Sequence, residues 1–143
     1  MFPMNEWMRD PRVAQAETDA FQAERAERRG NPSQARALYR QAAESLACVA
    51  LRVPADHPNT RGDLAIAAVA SFSRAGDFGR AIEFGQRMLA EGDALTAHGR
   101  DEIRRLVHEY ELIAAPGDVP VLPMNNRGRA VRDQVRGMFR RAA

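Results

Sequence analysis

Gly30-Asn31-Pro32-Ser33-Gln34-Ala35-Arg36-Ala37-Leu38-Tyr39 has a counterpart 46 residues further on, Gly76-Asp77-Phe78-Gly79-Arg80-Ala81-Ile82-Glu83-Phe84. In each stretch a Gly ends one apolar helix and an Asn or Asp caps the next, after which a small Ala and an aromatic ring fall on the new helix's buried side. Two copies of this grammar predict helical hairpins laid side by side. Asn31-Pro32 starts its helix in the preferred way, with Pro at the first helical position and Gln34 placed to complete a capping box. Ala35, Leu38, Tyr39, Ala42, Leu46 and Val49 then recur at spacings of three and four, one face of a helix.

Upstream, residues 12–29 read as a first helix with Val13, Ala16, Ala20 and Phe21 on one side and Glu17, Glu24, Glu27 and Arg28 on others. Downstream, Pro54 and Pro58 close the second helix, and Thr60 with Asp63 three residues on opens a third. Leu64-Ala65-Ile66-Ala67-Ala68-Val69-Ala70-Ser71-Phe72 is apolar almost all round, so this third helix is expected at the centre. Asp77 caps a fourth helix that carries Ala81, Phe84, Met88 and Leu89 and stops near Gly92. A fifth starts around Thr96, presents Ile103, Leu106, Val107, Tyr110 and Ile113, and ends at Pro116-Gly117. Residues 115–128, with Pro116, Pro120 and Pro123, read as a linker. Residues 129–143 read as a basic amphipathic helix, with Val131, Val135, Met138 and Phe139 beside a row of Arg129, Arg132, Arg136 and Arg140.

Composition supports a helical chain, since 45 % of residues are hydrophobic and only 6 % aromatic, with Ala abundant. All 21 basic side chains are Arg, as expected of a GC-rich, bacterial genome. Charge is uneven: residues 1–115 hold 15 Arg and 17 Asp or Glu, whereas residues 116–143 hold 6 Arg and 2 Asp. The single Cys48 lies in an apolar run, where it reads as a small buried hydrophobe, and one cysteine permits no internal disulfide. A charged n-region followed by an apolar h-region is missing, as is any 18-residue apolar run, so a soluble cytoplasmic protein away from membranes is expected.

The two Gly-Asx turns resemble those of tetratricopeptide-repeat proteins, in which Gly-Asp/Asn-aromatic precedes a signature Ala with an aromatic and a small residue further along. Gly76, Asp77, Phe78 and Ala81 match, with Phe72 at the aromatic position late in the preceding helix; Gly30, Asn31, Ala35, Tyr39 and Ala42 match in the earlier copy. The copies are spaced by 46 residues instead of about 34, and Gly85 and Met88 replace the second helix's aromatic and small residue. The resemblance implies a divergent all-α fold: a short right-handed α-solenoid of two hairpins plus a capping helix over residues 12–114. An apolar segment (residues 1–11), the Pro-rich linker and the basic helix complete the domain plan.

It also implies an adaptor that holds a protein segment in a concave groove. The family's carboxylate clamp is missing, because the matching positions are Asp63, Ile66, Ala67 and Ala70. Groove residues are instead expected at Glu17, Phe21, Glu24, Glu27, Ile66, Ala70 and Ser73, a set suited to a basic-apolar ligand. In the tail, Arg132, Arg136 and Phe139 are further partner-binding candidates, and the apolar Phe2, Trp7 and Met8 suit docking or a homodimer. A second reading places the Arg-rich tail on nucleic-acid phosphates.

No enzymatic chemistry, cofactor or metal is expected. His57, His98 and His108 have no metal-ligand spacing, Asp101-Glu102 fits the acidic start of a helix, and no phosphate loop or serine elbow is present.

Overall fold

A computed structural model describes residues 6–114, all-helical with no strand among them. The helices are α1 (Pro11–Arg28), α2 (Pro32–Arg52), α3 (Pro58–Arg74), α4 (Phe78–Ala90) and α5 (Ala97–Ala114), with short 3-10 turns at Trp7–Arg9 and Gly92–Ala94. Phe2, the linker 115–128 and the segment 129–143 with Arg132, Arg136 and Phe139 lie outside the described residues.

The paired sequence motifs become paired turns. Gly30 and Gly76 take left-handed φ angles of 75° and 77°, a region open to Gly without the Cβ clash other residues meet. In the first turn the Asn31 N–H reaches back to the Ala26 carbonyl (2.9 Å) and the Gly30 N–H to Glu27 (3.0 Å). In the second, the Asp77 N–H bonds Phe72 (2.9 Å) and the Gly76 N–H bonds Ser73 (2.9 Å). Orphan carbonyls at both helix ends are thereby satisfied. Each Asx side chain then accepts from the backbone three residues on, Gln34 N–H at 3.2 Å and Arg80 N–H at 3.1 Å. Gln34 does not close the expected reciprocal box. The Asn31 backbone N–H is already committed to Ala26, so the Gln34 amide oxygen takes the Asn31 side-chain N–H instead, at 3.2 Å.

Two boundaries differ from the sequence reading. The third helix begins at Pro58, not at Thr60, because Pro supplies a helical φ at the first position and needs no N–H there. The fourth ends at Ala90, and Gly92–Ala94 forms the 3-10 turn leading to Thr96, whose hydroxyl accepts from the Gly99 N–H at 2.9 Å and caps α5.

α3 is central, as its all-round apolar surface predicts: it packs against α2, α4 and α5, with Leu64, Ala65, Ala68, Val69, Ala70 and Phe72 buried. α1 and α2 meet through alanines, Ala16, Ala20, Ala23 and Ala26 against Ala35, Ala42 and Ala43, with Tyr39 filling the space near Ala75. Small side chains let these helices approach closely, and Ala35 and Ala81, both after Gly-Asx turns, are buried at 2 % and 0 % exposure.

Gly85 has its reason here as well. A Cβ at this position would stand 2.5 Å from Val107 Cγ2, 3.5 Å from Ile103 and 3.7 Å from Val69, so only Gly lets α4 settle on α5 and α3. Trp7 and Met8 are partly buried and pack on the main core, consistent with the docking expected of the N-terminal segment.

Candidate functional site

Polar contacts fix which helix ends lie together. At one end Arg74, the last residue of α3, pairs with Glu27 of α1 at 2.9 Å, and its guanidinium lies 4.5 Å from the centre of the Tyr39 ring of α2. The Arg74 side chain is 2 % exposed, so this contact is a strut inside the molecule. Tyr110 of α5 is buried near the same end beside Ser73, with its ring 5.7 Å from that of Phe78. Burial pushes the Tyr110 phenol up to about 12, the Ser73 hydroxyl opposing that shift. Thus the C-terminal ends of α1, α3 and α5 gather at one end of the molecule.

At the other end buried Arg61 of α3 donates to the Ala50 and Val53 carbonyls (3.3 and 2.7 Å), satisfying the end of α2, and pairs with Glu91 beyond α4. Gly62 faces Gly99 there, bringing α3 and α5 close.

This frame sorts the expected groove residues. On α1, Glu17 is exposed, Glu24 is half-buried and Phe21 is 61 % exposed, the most exposed large hydrophobic among the described residues. At 3.6 residues per turn Glu17, Phe21, Glu24 and Arg28 fall within about 60° of one another, and Phe21 stands about 130° around the helix from the centre of the arc of Ala16, Ala20 and Ala23. Phe21 therefore does not belong to the buried side of α1 on which periodicity grouped it. Glu27 is half-buried and held by Arg74.

On α3, Ile66 is half-buried and Asp63 is exposed, but Ala70 and Ser73 are buried at 0 % and 5 % and present no surface to a ligand. They are closed off because the C-terminal part of α3 is where α1, α2 and α5 all converge. Asp63 carries a carboxyl pKa raised by partial burial, with His98 pulling it the other way.

The helices α1 and α3 run in the same direction from the Glu27–Arg74 strut. Counting back along each at 1.5 Å per residue, Glu17 and Asp63 lie about 15 Å from it, and Phe21 and Ile66 about 9–12 Å. The structure thus brings Glu17 and Phe21 to the same level as Asp63 and Ile66. It buries Ala70 and Ser73 and ties Glu27, one-third exposed, to Arg74.

Other expectations are corrected. Cys48 is exposed, its Sγ accepting from Arg12 at 2.9 Å, because it sits on the outer side of α2 between the buried Ala47 and Val49. Ile113, assigned to the buried stripe of α5, is 37 % exposed beside Leu112 at 43 %, since Tyr110 is the last buried residue of that helix. The outward side of α5 is covered by charge, Asp101–Arg104 at 3.3 Å and Arg105 with Glu102 and Glu109.

Sequence reasoning missed Arg61 and Arg74, the two arginines that tie helix ends together. Their proximity to helix termini was visible, but their carboxylate partners, Glu91 and Glu27, lie 30 and 47 residues away. Among the described residues no group of three or more His, Cys, Asp or Glu side chains could hold a metal ion. No described helix is long and apolar enough to cross a membrane. No family model matches the chain, and neither the curated proteins nor the solved structures compared with it give a match.

Proposed function

We propose that this chain is a non-catalytic helical-hairpin scaffold, tetratricopeptide-like in its two Gly-Asx turns and with α5 as its capping helix. In this reading it holds a protein segment along the side shared by α1 and the N-terminal half of α3. The observation that carries the reading is Phe21, a large aromatic left 61 % exposed on a helix that buries its other apolar residues except Ala14. Glu17 stands one turn before it, with half-buried Ile66 and exposed Asp63 at the matching level of α3. An apolar anchor ringed by carboxylates suits a segment that combines apolar and basic side chains.

The buried polar side chains support a scaffold more than a reaction centre. Arg61 and Arg74 are consumed in tying helices, and Ser71 Oγ donates to the Ala67 carbonyl at 2.7 Å within its own helix.

A photo-crosslinking residue in place of Phe21 tests the proposal in the native cell. A discrete protein adduct is expected from position 21 and not from the charged outer side of α5 at position 104. Equal labelling at both positions, or adducts abolished by Arg104→Glu but untouched by Glu17→Arg, would overturn it.

A further inference from the structure

Charge does not balance at the end of the molecule that carries the two Gly turns. The carboxylates nearest those turns are engaged: Glu27 by Arg74 at 2.9 Å, Asp77 by the Arg80 N–H at 3.1 Å and by Arg40 at 4.0 Å, and Glu44 by Arg80 at 2.9 Å. Four guanidiniums are left over. Arg25, Arg28 and Arg29 at the end of α1 and Arg36 near the start of α2 are exposed, and no ion pair or side-chain hydrogen bond joins them to any described residue. Arg36 extends this group toward the second turn, since its Cδ lies 3.4 Å from where a Cβ on Gly76 would stand. Half-buried Glu24 is the one carboxylate in the last two turns of α1 without such a partner among the described residues. Glu83 and Glu111 belong to α4 and α5, and Glu111 accepts from the Gln86 side-chain amide at 3.2 Å.

Some of this positive charge is favoured simply by the carbonyl end of α1, which attracts cations in its last turn. That accounts for Arg25 and Arg28. It does not account for Arg36, which sits in the second turn of α2, near a helix start where cations are disfavoured.

We propose that the α1–α2 turn is a contact surface for the phosphate backbone of a nucleic acid, made by the guanidiniums of Arg25, Arg28, Arg29 and Arg36. A guanidinium presents a planar fork of donors that matches phosphate oxygens, and each phosphate neutralised releases condensed counterions. An anionic membrane fits less well, because the exposed large hydrophobic beside these arginines, Phe21, stands between Glu17 and Glu24, and inserting it in the lipid interface would press both carboxylates against anionic headgroups. Ser33 and Arg40, one turn before and after Arg36 on α2, are exposed and polar. An acidic peptide would need an apolar pocket between the charges to set its register, and the turn offers none among the described residues.

The end of α5 lies at this same end, through the contact of Tyr110 with Ser73. Arg25 and Arg28 border the Phe21 side of α1, but the protein contact is read from adducts at position 21 and the phosphate contact from the salt slope, so either can fail alone.

The test is fluorescence anisotropy of a labelled 20-base-pair DNA duplex with the full-length chain, titrated between 50 and 200 mM NaCl. If four phosphates are contacted, replacing Arg25, Arg28, Arg29 and Arg36 together by Gln reduces the slope of log K against log salt by about 3 to 4. Arg52→Gln with Arg87→Gln, which neutralises two exposed arginines elsewhere, leaves the slope within about 0.5 of wild type. Far-UV circular dichroism checks that the fourfold variant is folded, and the single reversal Arg28→Glu carries the test if it is not.

An unchanged slope in the fourfold variant overturns the proposal. So does an equal loss per charge in the Arg52/Arg87 control, an absence of duplex binding at 50 mM NaCl, or tighter binding to phosphatidylserine vesicles than to the duplex.

Discussion

Replacing Gly85 by Ala adds one methyl group at the point where α4, α5 and α3 meet. In an isolated helix this change would stabilise by roughly 1 kcal/mol, because Gly loses more backbone freedom than Ala on ordering. Here the new Cβ would stand 2.5 Å from Val107 Cγ2, well inside contact distance. Val107 cannot rotate away easily, since a β-branched side chain in a helix has one strongly preferred rotamer, and Ile103 and Val69 close the site at 3.5 and 3.7 Å. Overpacking of this kind costs about 1–3 kcal/mol, so the net effect of Gly85→Ala is a destabilisation of up to about 2 kcal/mol, or up to roughly 8 °C in melting temperature.

The partner substitution makes the argument specific. In a Val107→Ala background the obstructing methyl is gone, and Gly85→Ala should become neutral or stabilising by up to about 1 kcal/mol, a coupling of 1–3 kcal/mol across the cycle. Urea unfolding followed by circular dichroism on the four proteins measures it. Additive effects, or a Gly85→Ala protein more stable than wild type, would refute the close approach of α4 to α5 and with it the reason for Gly at this position.

Ala81→Leu, at a fully buried site after the second Gly-Asx turn, should lower stability by roughly 1–3 kcal/mol, and an unchanged melting temperature would contradict the tight hairpin. Arg74→Gln removes a guanidinium from a side chain 2 % exposed and leaves Glu27, one-third exposed, without its partner, at a cost of about 2–4 kcal/mol. Arg74→Lys should recover little of that, because the stack on Tyr39 needs a planar cation, and full recovery would show that charge alone matters. Tyr110 holds its proton more tightly folded than unfolded, so its contribution is intact below pH 10 and is lost as pH rises toward about 12. Tyr110→Phe should flatten the fall of unfolding free energy over that interval, and an unaltered slope would count against a buried neutral phenol. Trp7, the single tryptophan and partly buried on the core, should emit between the buried and fully solvated limits and red-shift on unfolding in urea. Emission already at the solvated limit in the native protein would refute that packing.

The helices and their turns were legible in the chain because they rest on local chemistry. Gly30 and Gly76 supply left-handed backbone, Asn31 and Asp77 cap the helices that follow, and apolar residues at spacings of three and four define a buried stripe, all within about ten residues of one another in sequence. The central place of α3 followed from its all-round apolar surface, and the buried alanines at 35 and 81 followed from their shared position after the turns. Those features are properties of short segments, and a segment carries them wherever it is placed.

What only the tertiary structure decided concerns partners distant in sequence. Ala70 and Ser73 are buried because α1, α2 and α5 converge on the end of α3, while Glu17 and Phe21 stay open, and no helical period distinguishes the two cases. The fates of the arginines diverge in the same way: Arg74 is buried against Glu27 and Tyr39, whereas Arg25, Arg28, Arg29 and Arg36 are left exposed without a carboxylate among the described residues. Gly85 looked like a lapse in a repeat signature until Val107, 22 residues on, was found pressed against it. Burial and pairing depend on what arrives from elsewhere in the chain, and spacing along one helix contains no information about that arrival.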